Sequence, residues 1–210
     1  MRLALILLVG YLCGALPWGL WLGRWFKGVD IRRVGSGNPG ATNVYRTLGP
    51  AVGVATLILD VLKGSIPVWF APSLLLSQPD PMILELGRIA AGVGAVLGHV
   101  FTFLAGFKGG KGVATTVGVL LALSPPAFAI FVTVFVATVA ITRYVSLGST
   151  FGALAFAVAL WRFSPRGVQS PAFVLGLVLA ALIVWRHRDN YARLARGEER
   201  KFSLTGGKRA

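Results

Sequence analysis

The run VATTVGVLLALSPPAFAIFVTVFVATVAIT, residues 113–142, decides how many times this chain can cross a membrane. It carries no charged side chain and is interrupted at Ser124, Pro125 and Pro126. A spanning helix needs about 20 predominantly apolar residues to cover a hydrocarbon core of about 30 Å. A helix over 113–124 would rise only about 18 Å, too short to cross alone. Either it is a short helix beside a thinned or water-filled region, or the prolines kink one long span. Outward from this run, further apolar stretches lie near 3–23, 51–71, 86–105, 146–161 and 171–185, with 126–142 between them.

The choice sets topology, and basic residues arbitrate. With seven spans and the N-terminus outside, Arg2, Arg88, Arg162 and Arg166 fall outside. Arg24, Lys27, Arg32, Arg33, Arg46, Lys108, Lys111, Arg143 and the whole basic tail fall inside, as the positive-inside bias requires. With six spans the tail would change sides and the bias would largely vanish. The expectation is therefore an all-α, polytopic integral membrane bundle of about seven transmembrane helices plus a short interfacial helix, forming one domain over residues 1–210.

Composition agrees. Hydrophobic residues make up 55% of the 210 residues, mean hydropathy is +0.74, and charged residues make up 13%, against about 25% in a soluble domain. Lys and Arg number 21 against 7 Asp and Glu, a net charge of +14. In an apolar chain such basicity points to anionic lipid and anionic substrates rather than nucleic acid. The single cysteine, Cys13, lies in an apolar run and reads as a packing residue, so neither a disulfide framework nor a thiolate metal cluster is expected. The first apolar run continues past residue 20 without a small-x-small cleavage site, which favours a retained span over a signal peptide.

Under this topology four polar segments meet at the cytoplasmic face: GSGNPGATNVYR at 35–46, GFKGGKGVATT at 106–116, TRYVS at 142–146, and WRHRDNYARLARGEERK at 185–201. In the first, Asn38 followed by Pro39 reads as a helix start and Gly49-Pro50 as its stop. Asn43 and Arg46 share a helix face and could donate to one anion, although a capped interfacial helix with a snorkelling arginine accounts for the pattern equally well. In the second, Gly106, Gly109, Gly110 and Gly112 surround Lys108 and Lys111 just before a helix, as in a phosphate cradle of backbone amides; a flexible basic loop is the alternative. It is not a nucleotide P-loop, because Ala105 takes the first glycine's place and Gly112 stands where Ser or Thr is required. In the third, Arg143, Ser146 and Ser149 lie at a boundary between spans, where hydroxyls either bind ligand or pack helices. In the fourth, His187, Asn190 and Arg193 or Tyr191 follow helical spacing and form an oxoanion-binding set, or a basic juxtamembrane helix on anionic headgroups.

Within the second span, Asp60 and Lys63 form an intramembrane i, i+3 pair, a functional mark or a register pin. His99 in the third span is either a ligand or a satisfied bundle residue. Carboxylate pairs and metal-ligand clusters are missing, which argues against metal-assisted hydrolysis. There is no H-x-x-x-x-D either, since Leu104 follows His99 and Ala192 follows His187 at that spacing. The inventory suits electrostatic stabilisation and positioning of phosphorylated substrates.

G-S-G-N-x-G-A-T-N-x-x-R at 35–46, D-x-x-K-G at 60–64, G-H-x-F followed by F-K-G-G-K-G-V-A-T at 98–115, T-R-Y-V-S at 142–146 and R-H-R-x-N-x-x-R-L-x-x-G-x-E at 186–199 resemble, in order, the motifs of the bacterial PlsY family. Those are membrane-integral, acyl-phosphate-dependent glycerol-3-phosphate acyltransferases. Thr102, where the family often has proline, and Tyr191, where it often has isoleucine, are flanking departures.

The resemblance implies acyl transfer from acyl phosphate to the 1-hydroxyl of glycerol 3-phosphate in the bacterial inner membrane, with the site facing the cytoplasm and no cofactor or metal. It implies that Ser36, Arg46, Ser146 and His187 bind the glycerol phosphate. Lys108, Lys111 and the amides of Gly109, Gly110 and Gly112 would hold the acyl phosphate, while Asn43 and Asn190 orient the reacting groups. Lys111 is the first choice for the cation beside the scissile anhydride, and Ser36, His187 and Asn190 complete the catalytic set. Asp60, Lys63, His99, Arg143 and Arg193 are secondary candidates. A transporter of an organic phosphate is the alternative of a different class.

Overall fold

The computed structural model describes residues 1–77, 79–164 and 166–203, and among these it is helical without strands. It divides into two compact units, Met1–Ala122 and Leu123–Ser203.

The first unit contains α1 (Arg2–Gly14), α2 (Trp18–Lys27), α3 (Ala41–Leu48), α4 (Pro50–Leu75), α5 (Pro81–Val100) and α6 (Val113–Leu123). Small residues set its closest packing. A Cβ at Gly10 or Gly14 of α1 would overlap the carbonyl oxygens of Ala91 or Ala95 on α5. One at Gly94 or Gly98 of α5 would overlap those of Leu7 or Tyr11. Such reciprocal seams let two apolar helices approach backbone to backbone where lipid offers no competing hydrophobic drive. Gly64 of α4 and Gly118 of α6 meet Thr115 and Val61 in the same way.

The expected first span is broken. α1 ends at Gly14, and Pro17, which cannot donate a backbone N–H, stands immediately before α2. The short helix also starts later than Asn38-Pro39 suggests: Gly40 is the N-cap, and Asn38 Oδ1 instead accepts from the Gly40 N–H at 2.9 Å in a turn before α3. Its stop is as expected, with Gly49 at φ +97° leading into Pro50. Beneath this loop Leu20, Ile31, Val44 and Ala105 form a small buried core.

The second unit contains α7 (Pro125–Thr142), α8 (Val145–Phe163), α9 (Pro171–Arg186) and α10 (Arg188–Ala195). Phe131 stacks on Phe135 within α7 and lies against Phe156 of α8, while Gly148 and Gly152 of α8 leave room for these rings. α10 continues α9 after a bend of 48° at His187.

The apolar segments read from sequence are mainly helical, with 3–23 interrupted at 15–17 and 86–105 at 101–102. Five stretches among the described residues are long and apolar enough to cross a membrane: Arg2–Lys27, Pro50–Leu75, Pro81–Ala105, Pro125–Thr142 and Val145–Phe163. The bent pair α9–α10 makes six. The remaining segment, α6, has 11 residues and is the short helix that its length foretold. Ser124, at φ −151°, separates it from α7 before Pro125 and Pro126 begin the next helix, so the prolines start a helix rather than kink one. The chain is an integral membrane protein.

Candidate functional site

In the first unit, Asn43 organises the glycine loop. Its side chain is buried; Oδ1 accepts from the Ser36 N–H at 2.9 Å, and Nδ2 donates to the carbonyls of Val34 at 3.1 Å and Ile31 at 3.4 Å. One amide thus ties the Ser36 backbone to the helix that carries Arg46. Gly35 at φ +64° permits this, since a Cβ there would overlap Asn43 Oδ1. Ser36 is exposed and Arg46 is half-buried.

The same loop is braced by Asp30, a residue given no role by the sequence reading. Its carboxylate accepts from Arg32 Nη2 at 2.7 Å, Arg32 Nε at 3.0 Å, the Arg32 N–H at 3.1 Å and Arg24 Nη2 at 3.0 Å. The Arg32 side chain beside it is the main reason that its carboxyl titrates well below the usual carboxylate range, with Arg24 adding to the effect.

The lysine-glycine loop is tied to the end of α5. The Gly109 N–H donates to Val100 O at 3.1 Å and the Gly110 N–H to His99 O at 3.2 Å. These carbonyls belong to the last turn of α5, which has no intrahelical donors for them. The two amides therefore help to close the helix end in this structure. Their glycines are required by proximity, because a Cβ at 109 would overlap His99 O and one at 110 the His99 imidazole. Positive φ at Gly106, Phe107 and Gly112 turns the chain so that Lys108 is exposed and Lys111 half-buried before α6 begins. Lys63 Nζ lies 2.7 Å from Asp60 Oδ1, with both side chains buried.

In the second unit the polar residues converge on a carboxylate. Glu199 Oε1 accepts from Asn190 Nδ2 at 2.6 Å and Ser146 Oγ at 3.2 Å, and Oε2 accepts from Arg193 Nε at 3.0 Å. Glu199, Ser146 and Asn190 are buried. Glu199 closes the last motif read in the sequence, yet no spacing rule links it to Ser146. The Phe202 N–H donates to Arg143 O at 2.6 Å, so the segment after α10 lies along the start of α8. Arg143 ends α7 at φ +63° with its side chain exposed. Ser149 Oγ donates back to Val145 O at 2.9 Å, which makes it a helix-packing residue.

His187 is 3% exposed, and its Nδ1 lies 2.8 Å from Ile183 O. A carbonyl oxygen only accepts, so Nδ1 carries the proton, and Nε2 holds the lone pair whenever the ring is neutral. The Tyr191 and Thr150 hydroxyls share a hydrogen bond of 2.6 Å. Among the described residues no three His, Cys, Asp or Glu side chains gather as a metal-binding set.

The model of the family described as glycerol-3-phosphate acyltransferase matches residues 4–197. A glycerol-3-phosphate acyltransferase of Geobacter sulfurreducens is 47% identical over 195 residues, covering 92% of this chain and 94% of that one. One from Myxococcus xanthus is 46% identical over 197 residues, covering 94% and 98%. The crystal structure of PlsY (YgiH), an integral membrane glycerol 3-phosphate acyltransferase, in its glycerol 3-phosphate form superposes with a TM-score of 0.83 at 36% identity, covering 97% of this chain and 96% of that chain. Its lysophosphatidic acid form gives 0.80 at 35%, covering 98% of each. Agreement from end to end in sequence and in helical architecture means that the chain belongs to the glycerol-3-phosphate acyltransferase family.

Proposed function

We propose that this protein transfers a fatty acyl group from acyl phosphate to the 1-hydroxyl of glycerol 3-phosphate, the first step of phospholipid synthesis. The products are 1-acyl-glycerol 3-phosphate (lysophosphatidate) and inorganic phosphate. The observation that carries the reading is the Asn43 tie, which makes Ser36 and Arg46 parts of one preorganised element. A serine on a loop braced in this way and an arginine on the helix it is tied to lose little freedom on binding a phosphate.

In this reading Ser36, Arg46, Ser146 and His187 bind the glycerol phosphate, and Asn43 positions Ser36. Lys111, with Lys108 and Gly112, neutralises the acyl phosphate, and Asn190 orients the reacting groups. The glycerol oxygen attacks the acyl carbon, the bond between that carbon and the bridging oxygen of the phosphate breaks, and phosphate leaves with the bond's electron pair. An acyl phosphate is already activated, so no protein nucleophile is needed. The hydroxyl proton passes to the departing phosphate, and Lys111 offsets the charge that develops there. One apolar and one ionic substrate place the reaction at the cytoplasmic surface of the bacterial inner membrane.

The test is purified protein given acyl phosphate and glycerol 3-phosphate. Equal release of phosphate and lysophosphatidate is expected. No product would overturn the enzyme reading, and equal rates with acyl-CoA or acyl carrier protein as donor would overturn the donor assignment.

A further inference from the structure

Three buried polar side chains of the first unit have no part in the scheme above: Asp60 and Lys63 on α4, and His99 on α5. They surround a small cavity lined also by Pro17, Pro39 and Gly110. The break between α1 and α2, the glycine loop of Ser36 and the lysine-glycine loop therefore all border one charged pocket within this unit. Membrane helices seldom bury ionisable groups without use, because each has a desolvation cost that lipid does not return.

The contacts show what the cluster holds. Lys63 Nζ donates to Leu16 O at 2.8 Å, in the broken turn where a helical partner is missing. Thr102 Oγ1 donates to the neighbouring carbonyl of Ala15. On its other side Asp60 Oδ1 lies 2.7 Å from Lys63 Nζ and 3.7 Å from His99 Nδ1. The His99 ring packs against Gly110, where no Cβ could be accommodated, and the His99 carbonyl accepts from the Gly110 N–H. A line of neighbours thus runs from the break at Leu16, through Lys63, Asp60 and His99, to the loop that carries Lys108 and Lys111, the step from Asp60 to His99 being an electrostatic contact longer than a hydrogen bond.

We infer that Asp60, Lys63 and His99 are positioning residues of the acyltransfer reaction: the buried ion pair fixes the His99 ring, and the ring sets the lysine-glycine loop against the end of α5. This inference deepens the proposed role of Lys111 and rests on it. A register pin alone would need the pair but not the contact with His99, and the two roles separate experimentally. A buried ion pair replaced by apolar residues of similar volume commonly keeps or gains stability. The variant Asp60→Leu with Lys63→Met should therefore fold while leaving His99 without its anchor.

The experiment measures thermal unfolding, steady-state kinetics and backbone hydrogen exchange on purified wild type and on this double variant. The expected result is a variant that still unfolds cooperatively, at a melting temperature somewhat below wild type because Lys63→Met also removes the donor to Leu16 O. Its kcat is at least about tenfold lower, the scale on which a displaced catalytic group costs rate. Exchange at Gly109 and Gly110 should rise at least about tenfold, while α7 and α8 stay protected. A folded variant with wild-type kcat and wild-type exchange in the loop overturns the inference. If the double variant does not fold, the isosteric Asp60→Asn is judged by the same kinetic and exchange readouts. A wild type inactive with acyl phosphate would sink the functional reading alone, since the exchange comparison requires no turnover.

Discussion

Ser146 and Glu199 stand 53 residues apart in sequence and share a hydrogen bond, Oγ donating to Oε1 at 3.2 Å, with both side chains buried. Because Asn190 and Arg193 converge on the same carboxylate, its removal would take an acceptor from an amide and a guanidinium together. Glu199→Ala should cost about 1–3 kcal/mol, the range for leaving buried polar groups without their hydrogen-bond acceptor. Glu199→Gln should cost less, because its oxygen still accepts from Asn190 and Ser146 while its NH2 opposes Arg193. Thermal melts in detergent check the order; an unchanged melting temperature for Glu199→Ala would remove the carboxylate from the fold's supports.

Asn43→Ala removes the acceptor of the Ser36 N–H and the donor to Val34 O, which leaves backbone polar groups of the loop unpaired. Destabilisation of about 1–3 kcal/mol follows. If Ser36 and Arg46 bind the glycerol phosphate, KM for glycerol 3-phosphate should rise at least about tenfold as the loop loosens. Steady-state kinetics at saturating donor measure it, and an unchanged KM would detach the tie from substrate binding.

Much of this was legible in the chain, for reasons that individual residues show. Apolar length places every span, since lipid selects on composition alone. Gly49-Pro50 stops α3 because its consequences are local. The break at Leu16 was hidden, because its carbonyls are served by Lys63 and Thr102, distant in sequence. The composition of the lysine-glycine loop is visible, but the direction of its N–H groups is not, and Gly109 and Gly110 turn to α5. Glu199 was readable as a motif letter, while its partner Ser146 becomes evident only when α8 and the segment after α10 are folded together.

His187 offers a choice between binding and base catalysis. With Nδ1 committed to Ile183 O, any base chemistry by His187 falls to Nε2. If the leaving phosphate takes the proton, His187→Gln raises KM for glycerol 3-phosphate while kcat stays within about threefold. A pH–rate profile of saturated enzyme should then keep its shape in the variant. A collapse of kcat together with loss of the acidic limb would assign the base to His187 instead.

Asp30 predicts an acid limb of stability. Its carboxyl is depressed in the folded state, so the folded form binds that proton less readily than the unfolded chain. The stabilisation is complete above the unfolded carboxyl value of about 4 and is lost as pH falls below it. The Asp30→Asn variant should melt below wild type near neutrality and converge with it as the pH drops below about 4. A gap that stays constant across that range would show that the ion pairs with Arg32 and Arg24 do not couple to folding.

The short helix α6 carries two hydroxyls that water cannot reach. Thr115 and Thr116 are fully buried, and among the described residues neither Oγ1 has a hydrogen-bond partner. An unpaired buried hydroxyl costs about 1–3 kcal/mol by mutational measures, so Thr116→Val, which keeps the branched shape, should stabilise the fold or leave it unchanged. Gly118→Val on the same helix should do the reverse, because its Cβ would meet the Val61 carbonyl and drive α6 from α4. Melting temperatures of the two variants should therefore move apart. If Thr116→Val instead melts like wild type but loses turnover, its hydroxyl serves the reaction, and α6 contributes to chemistry as well as to packing.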